Sequence, residues 1–250
     1  MSYIEEYLLH DILLLLLTYA YVMITILIPV QLKKRDKISK FAARKTVHLL
    51  AGLSVLSTPF FVWPYWAVII AGSLTVLVFF SSKESKIKQL KDLYESIGEE
   101  EEEKVGYLQG PFHYCISILI LVTIFVVFAP HQLYFPIAGI LIMIIADTLA
   151  SVIGKRFGRN HLKLRWTSRR TLEGSLTMFI VSFLLALGSF YYFGMCIPLT
   201  QIHLDWDKIF IYSLVTGILA TFIELLSPST WDDLTVPLGT TAIIFLLTLI

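Results

Sequence analysis

Residues 134–158 read YFPIAGILIMIIADTLASVIGKRFG, and the fold follows from this stretch. Residues 134–146 carry no charge, Asp147 interrupts the run, and Lys155 and Arg156 close it. At about 1.5 Å per helical residue the stretch from 134 to 154 crosses roughly 30 Å of hydrocarbon, so it reads as a membrane-spanning helix. Comparable apolar stretches occur near 7–32, 113–129, 173–194, 208–226 and 235–250. Residues 46–80 are too long for one ordinary span. Thr58-Pro59 and Trp63-Pro64-Tyr65-Trp66 place helix breakers and interfacial aromatics in their middle, so they read as two short spans. The predicted fold class is all-α: a polytopic helical bundle of about eight transmembrane helices. It forms one domain over residues 1–250, with the first span, 7–32, peripheral to a core of 44–250.

The composition agrees. The 250 residues are 56% hydrophobic and 16% charged, with a mean hydropathy of +0.75, so lipid is the expected solvent. A formal net charge of +1 leaves no global basic surface and argues against nucleic acid as a partner. Cys115 and Cys196 lie in or beside apolar runs, so neither a disulfide framework nor a zinc site is expected. The N-terminus, MSYIEE, is acidic and the run after it exceeds a signal-peptide core, so the first span is expected to be retained.

Charge position sets the expected orientation. With eight spans, loops 33–45, 82–112 and 155–172 share one side and hold 19 of the 20 Lys and Arg residues. By the positive-inside rule those loops face the cytosol and both termini are exoplasmic. Within the second loop, Ile87, Leu90, Tyr94 and Ile97 recur at helical spacing, which predicts a surface helix followed by a solvated acidic run.

Ionisable residues within spans cost about 2.5–3.5 kcal/mol at mid-membrane and are functional candidates by default. His48, Asp147, Glu173 and Glu224 stand out, each at the expected cytosolic end of its span. Helical spacing puts Asp147, Ser151, Gly154 and, if the helix continues, Gly158 on one face: a carboxylate, a hydroxyl and bare backbone. The loop after it is rich in Lys and Arg. It ends in Arg169-Arg170-Thr171-Leu172-Glu173-Gly174-Ser175 at the start of the next span, where free N–H groups and the helix dipole attract anions. Glu224 is followed by Asp232 and Asp233, close enough in sequence to join it at one metal site, although either aspartate could simply cap the last helix. Hard oxygen ligands beside basic residues point to Mg²⁺ and phosphate. Phosphoryl transfer asks for just such positioning and charge neutralisation. No GxxxxGK[ST] sequence occurs, so the nucleotide is not held by a P-loop.

Four stretches, RKTVHLLAG (44–52), ADTLASVIGKRFG (146–158), RRTLEGS (169–175) and ELLSPSTWDDLTVPLG (224–239), resemble the motifs of the polyprenol kinase family in order and spacing. YLQGPFHY (107–114) is similar to a weaker family element. The resemblance covers most of the chain from Arg44 onward. It implies an integral membrane kinase that moves the γ-phosphate of CTP to a lipid alcohol: a polyprenol or dolichol, a phytol-like isoprenoid, or diacylglycerol. The membrane would be that of the endoplasmic reticulum in a eukaryote and the cell membrane in a prokaryote, with the site facing the cytosol. Asp147, Glu224, Asp232 and Asp233 would be catalytic, with Asp147 and Asp232 holding Mg²⁺. Arg44, Lys45, His48, Ser151, Gly154, Lys155, Arg156, Gly158, Arg169, Arg170, Thr171, Glu173 and Gly174 would bind nucleotide and phosphate. The family usually has Asp-Asn where this chain has Asp232-Asp233, and often Lys-Ser or Lys-Thr where it has Arg170-Thr171. A phosphatidate cytidylyltransferase is the competing enzyme class and a small membrane transporter the competing non-enzymatic one.

Overall fold

In hydrocarbon every backbone N–H and C=O must be satisfied within its own segment, which an α-helix does. The computed structural model describes residues 3–162, 170–197, 200–228 and 231–249. Among the described residues the regular elements are helices, joined by two isolated β-bridges, Ser82 with Tyr107 and His161 with Thr171. Five helices, Glu5–Lys34, Gln109–Phe128, Tyr134–Phe157, Leu172–Cys196 and Trp206–Leu226, are long and apolar enough to cross a membrane. The helical membrane class expected from sequence is therefore met. Tyr65–Phe80 is a shorter apolar helix.

The chain divides into two compact units, Met1–Val126 and Val127–Ile250. The first begins with α1 (Tyr3–Lys34) and α2 (Lys40–Gly52), the latter capped by Ser39, whose hydroxyl accepts from the Ala42 amide at 3.1 Å. α2 tightens into a 3₁₀ helix over Leu53–Phe60, and α3 follows as Tyr65–Phe80. The expected break within 46–80 thus falls at 61–64. Asp11 of α1 holds it in place: its carboxylate accepts from the amides of Val62 and Trp63, both at 2.9 Å. Asp11 is buried, so this intramembrane carboxylate, which sequence reasoning passed over, satisfies two backbone donors at a chain reversal.

The helical spacing of the second loop yields α4 (Lys88–Ile97), with Leu93, Tyr94 and Ile97 buried and Ile87 exposed just ahead of it. The acidic run after it departs from expectation. It forms α5 (Glu100–Val105), and Glu102 is buried rather than solvated. α6 (Gln109–Phe128) follows.

In the second unit, α7 (Tyr134–Leu141) continues through a π turn at Ile142–Ala146 into α8 (Asp147–Phe157). α9 (Leu172–Tyr191) ends in a second π turn, Tyr192–Cys196; α10 is Trp206–Leu226 and α11 Asp232–Leu247. Small residues allow the close approaches. A side chain at Gly217 of α10 would meet Cβ of Phe183 at 3.2 Å and the Phe179 carbonyl at 3.3 Å. Ile142, Ala146, Ala150, Met178, Ala220 and Val236 form an apolar core between these helices. Farther along the bundle Phe135 sits among Tyr134, Phe190, Tyr212 and Phe245, with ring centroids 4.9–6.2 Å away. Both cysteines are free thiols.

Candidate active site

Three helix ends and one loop end bring charge together in the second unit. Asp147 opens α8, directly after the π turn. Arg170 stands just before α9, Glu224 lies in the last turn of α10, and Asp232 is the first residue of α11. Arg170 is their common partner. Its Nη1 is ion-paired with Oε1 of Glu224, its Nη2 donates to the Ser227 carbonyl at 3.0 Å, and Asp232 Oδ2 is 3.8 Å from Nη2. Glu224 is buried, and its second oxygen, Oε2, has no hydrogen-bond partner; neither does Nε of Arg170.

The electrostatics are those of crowded carboxylates around one cation. Asp232, ahead of the apolar run of α11, has its carboxyl pushed up to about 8. Burial is the main cause, the charges of Asp147 and then Asp233 add to it, and Arg170 opposes it. Burial also lowers the Arg170 guanidinium, while Asp232 and Asp147 favour its charged form. Asp147, Asp232 and Arg170 therefore feel one another's charge. Asp233 accompanies Asp232 in the first turn of α11, where its amide donates to Oδ1 of Asp232 at 3.1 Å. Trp231 holds the N-cap position, so neither aspartate is the cap.

Among the described residues, no group of three or more His, Cys, Asp or Glu side chains is arranged to hold a metal ion. Mg²⁺ does not need one, because it is usually held by one or two carboxylates and completed by water and phosphate oxygens. Asp147 and Asp232 have the right hard-oxygen chemistry.

The glycines and Glu173 serve the local fold. α8 stops at Phe157, so Gly158 does not extend the helical face of Asp147, Ser151 and Gly154. Instead its N–H returns to the Gly154 carbonyl at 3.1 Å, and a Cβ there would collide with Thr171. Gly154 and Gly174 face each other where α8 crosses α9, a Cβ on Gly174 falling 3.5 Å from Cα of Gly154 and 3.1 Å from the Ala150 carbonyl. Thr171 caps α9 by accepting from the Gly174 amide at 3.1 Å. Glu173 accepts from the Arg159 amide at 3.1 Å and from Nδ2 of Asn160 at 3.0 Å. Leu162 N to Arg170 O and Leu172 N to Asn160 O, both 2.9 Å, pin the two ends of the basic loop together. Lys155 and Arg156 are exposed in the last turn of α8. Arg169 lies outside the described residues.

Arg44, Lys45 and His48 are on α2 in the first unit. Arg44 Nη1 pairs with Glu102 Oε2 at 2.6 Å, while Glu102 also accepts from the amides of Glu99 (2.9 Å) and Gly110 (2.7 Å). The His48 ring lies 4.3 Å from that of Tyr114, whose hydroxyl donates to the His48 carbonyl at 2.8 Å. Glu102 and Asn160 were missed in sequence: one sits in a run of five glutamates, the other in a loop otherwise notable only for its cations.

Helices of membrane-spanning length with a carboxylate and guanidinium site at their ends define the class. No protein-family model and no solved structure matches the chain. Curated proteins do. The chain is 33% identical over 204 residues to the phytol kinase of Synechocystis sp., covering 80% of this chain and 76% of that protein. It is 29% identical over 232 residues to a probable chloroplastic phytol kinase of Triticum aestivum, covering 86% of this chain and 70% of that one. Phytol kinase 1 of Arabidopsis thaliana, also chloroplastic, is 27% identical over 218 residues, 84% and 67% of the two chains. The chain belongs to the phytol kinase family.

Proposed function

We propose that the protein is a CTP-dependent kinase that phosphorylates the hydroxyl of a membrane isoprenoid alcohol, of the phytol or polyprenol class, at the cytosolic leaflet. One observation carries the reading: Asp147, Glu224 and Asp232 surround Arg170 at neighbouring helix ends in a chain whose relatives are named phytol kinases. In the proposed topology the chain spans the membrane eight times with both termini exoplasmic, as one kinase domain, which puts the basic loops on the nucleotide side.

The alcohol oxygen attacks the γ-phosphorus, the bond from that phosphorus to the β–γ bridging oxygen breaks, and CDP leaves. The alcohol proton passes to a carboxylate. Glu224 Oε2, buried and without a hydrogen-bond partner, supports that group as the acceptor. Asp147 and Asp232 are the proposed ligands of Mg²⁺, which when bound neutralises triphosphate charge. Arg170, Lys155 and Arg156, with Arg169, draw the polyphosphate to the crossing of α8 and α9. Thr171, Glu173 and the glycines keep that crossing in shape, Ser151 is on the phosphate-facing side of α8 in this reading, and Asp233 supports Asp232; a nucleotide role for Arg44, Lys45 and His48 of the first unit rests on the family resemblance alone. CTP as donor rests on the family resemblance.

The test is product analysis. Purified protein with Mg²⁺, CTP and a panel of isoprenoid alcohols and diacylglycerol is expected to release CDP and an isoprenyl monophosphate. Release of pyrophosphate with phosphatidate as acceptor would establish a cytidylyltransferase instead.

A further inference from the structure

Residues 33–37 end α1 and residues 81–95 lead from α3 through α4, and the first unit brings the two segments together. Lys34 Nζ is ion-paired with Oδ2 of Asp92, and α4 packs on α1, α2 and α3. The apolar side of α4 is used up in that packing, with Leu93, Tyr94 and Ile97 buried. Its outer side carries charge that is not balanced.

Three of the acids in these segments already hold a cation. Asp36 pairs with Lys33 at 2.9 Å, Asp92 with Lys34, and Glu95 with Lys91 at 3.9 Å. Arg35, Lys37, Lys83, Lys86 and Lys88 are exposed and make no ion pair among the described residues, and in the two segments Glu84 is the one exposed acid in the same state. Lys88 is one helical turn from Asp92, which places it beside the end of α1 with Arg35 and Lys37. Lys83 and Lys86 stand in the short link between Phe80 and Lys88. Exposed apolar side chains border the cations: Phe79 and Phe80 end α3 at 57% and 59% exposure, and Ile87, before α4, is 56% exposed.

We propose that Arg35, Lys37, Lys83, Lys86 and Lys88 form a binding surface for anionic lipid headgroups, with Phe79, Phe80 and Ile87 set among the acyl chains. Arg35 and Lys37 directly follow α1, a helix long and apolar enough to cross the membrane, so they lie at headgroup depth. A phospholipid supplies both partners that the surface lacks, an anion for the cations and hydrocarbon for the rings. Topological anchoring accounts for the number of cations, but it does not require the acids to be taken up in pairs while five cations face outward. All of these residues belong to the first unit, and none takes part in the proposed chemistry.

The experiment is lipid selectivity of the full chain in detergent, read by native mass spectrometry as phosphatidylglycerol or phosphatidylcholine is added. At low ionic strength phosphatidylglycerol is expected to bind about tenfold more tightly or better, and each cation replaced by Gln should cut that preference by about three- to fivefold. Added salt should erode it. Lys83→Gln/Lys86→Gln/Lys88→Gln and, separately, Arg35→Gln/Lys37→Gln test the two segments. Glu84→Gln should raise the preference, and Lys208→Gln, at the start of α10, should leave it unchanged. Parity of the two lipids in the parent would overturn the proposal in favour of a soluble acidic partner. A preference shifted by none of the first three variants, or abolished by millimolar inorganic phosphate, would overturn it as well.

Discussion

Among the described residues, each unit of the molecule holds a largely enclosed Arg–Glu pair, Arg44 with Glu102 and Arg170 with Glu224, and the two are finished differently. Around Glu102 both carboxylate oxygens are taken, by Arg44 and by the amides of Glu99 and Gly110. Around Glu224 one oxygen meets Arg170 and the other meets nothing, while Asp147 and Asp232 add negative charge beside the same guanidinium. A saturated pair ties α2 to the segment before α6 and has no capacity left. The unsaturated pair keeps an open acceptor with two further carboxyl groups beside it, the condition for taking up a cation and a proton. Burial of an Arg–Glu pair is thus no guide to its role; the count of remaining partners is.

The comparison breaks first at Glu102. Glu102→Ala leaves a half-buried Arg44 with only the weaker contacts to Glu99 and the Ile97 carbonyl and is expected to cost about 3–5 kcal/mol of stability. Denaturant unfolding in detergent measures this, and loss of turnover at undiminished stability would move Glu102 into the chemistry. Asp147→Asn should do the opposite, keeping the fold while lowering kcat by about 10²–10³-fold, or about 2.7–4 kcal/mol. Activity within threefold of the parent would leave Asp147 a structural partner of Arg170.

Charge removal in the basic loop is expected to be milder. Lys155→Gln, Arg156→Gln and Arg170→Gln should each cost about 1.5–3 kcal/mol in kcat/KM for CTP. Lys163→Gln and Arg165→Gln should cost little, since the remaining charges still set the topology. Equal, small effects at all five would remove the phosphate cradle. Arg170→Lys is expected to recover only part of the activity, because an ammonium cannot reproduce the guanidinium fork that spans Glu224 and the Ser227 carbonyl.

The remaining test concerns pH. The Asp232 carboxyl is raised from 3.8 to about 8, so the folded state holds a proton that the unfolded state has released. Its stabilising contribution is complete below about pH 4, declines as pH rises, and is gone above about pH 8. Thermal midpoints measured without Mg²⁺ should fall through that window, and Asp232→Asn should flatten the slope. An unchanged slope in Asp232→Asn would assign the titration to another group.

Much of this was legible from residue order alone. Apolar runs longer than about 18 residues have one stable form in lipid, so the five long helices followed from composition and length. The break within 46–80 followed from Trp63-Pro64, and the helix at 88–97 from the spacing of Leu90, Tyr94 and Ile97. His48, Asp147, Glu173 and Glu224 stood out because an ionisable residue within a span is costly and needs a partner, Arg170 because it closes a basic loop at a helix start, and Asp232 because it follows Glu224 closely in sequence.

Which partner each one has was decided only by tertiary structure. Arg170 and Glu224 are 54 positions apart, and no local rule pairs them; the packing of α9 against α10 does. Asp11 lay in plain sight within the first apolar run, but its purpose depends on Val62 and Trp63, about fifty residues away. Gly154 and Gly174 read along the chain as phosphate-binding positions, and only the packing of α8 on α9 shows that the two face each other. Periodicity and transfer energy act along the chain and can be read from it. Charge pairing acts across space, where distance depends on how the helices pack.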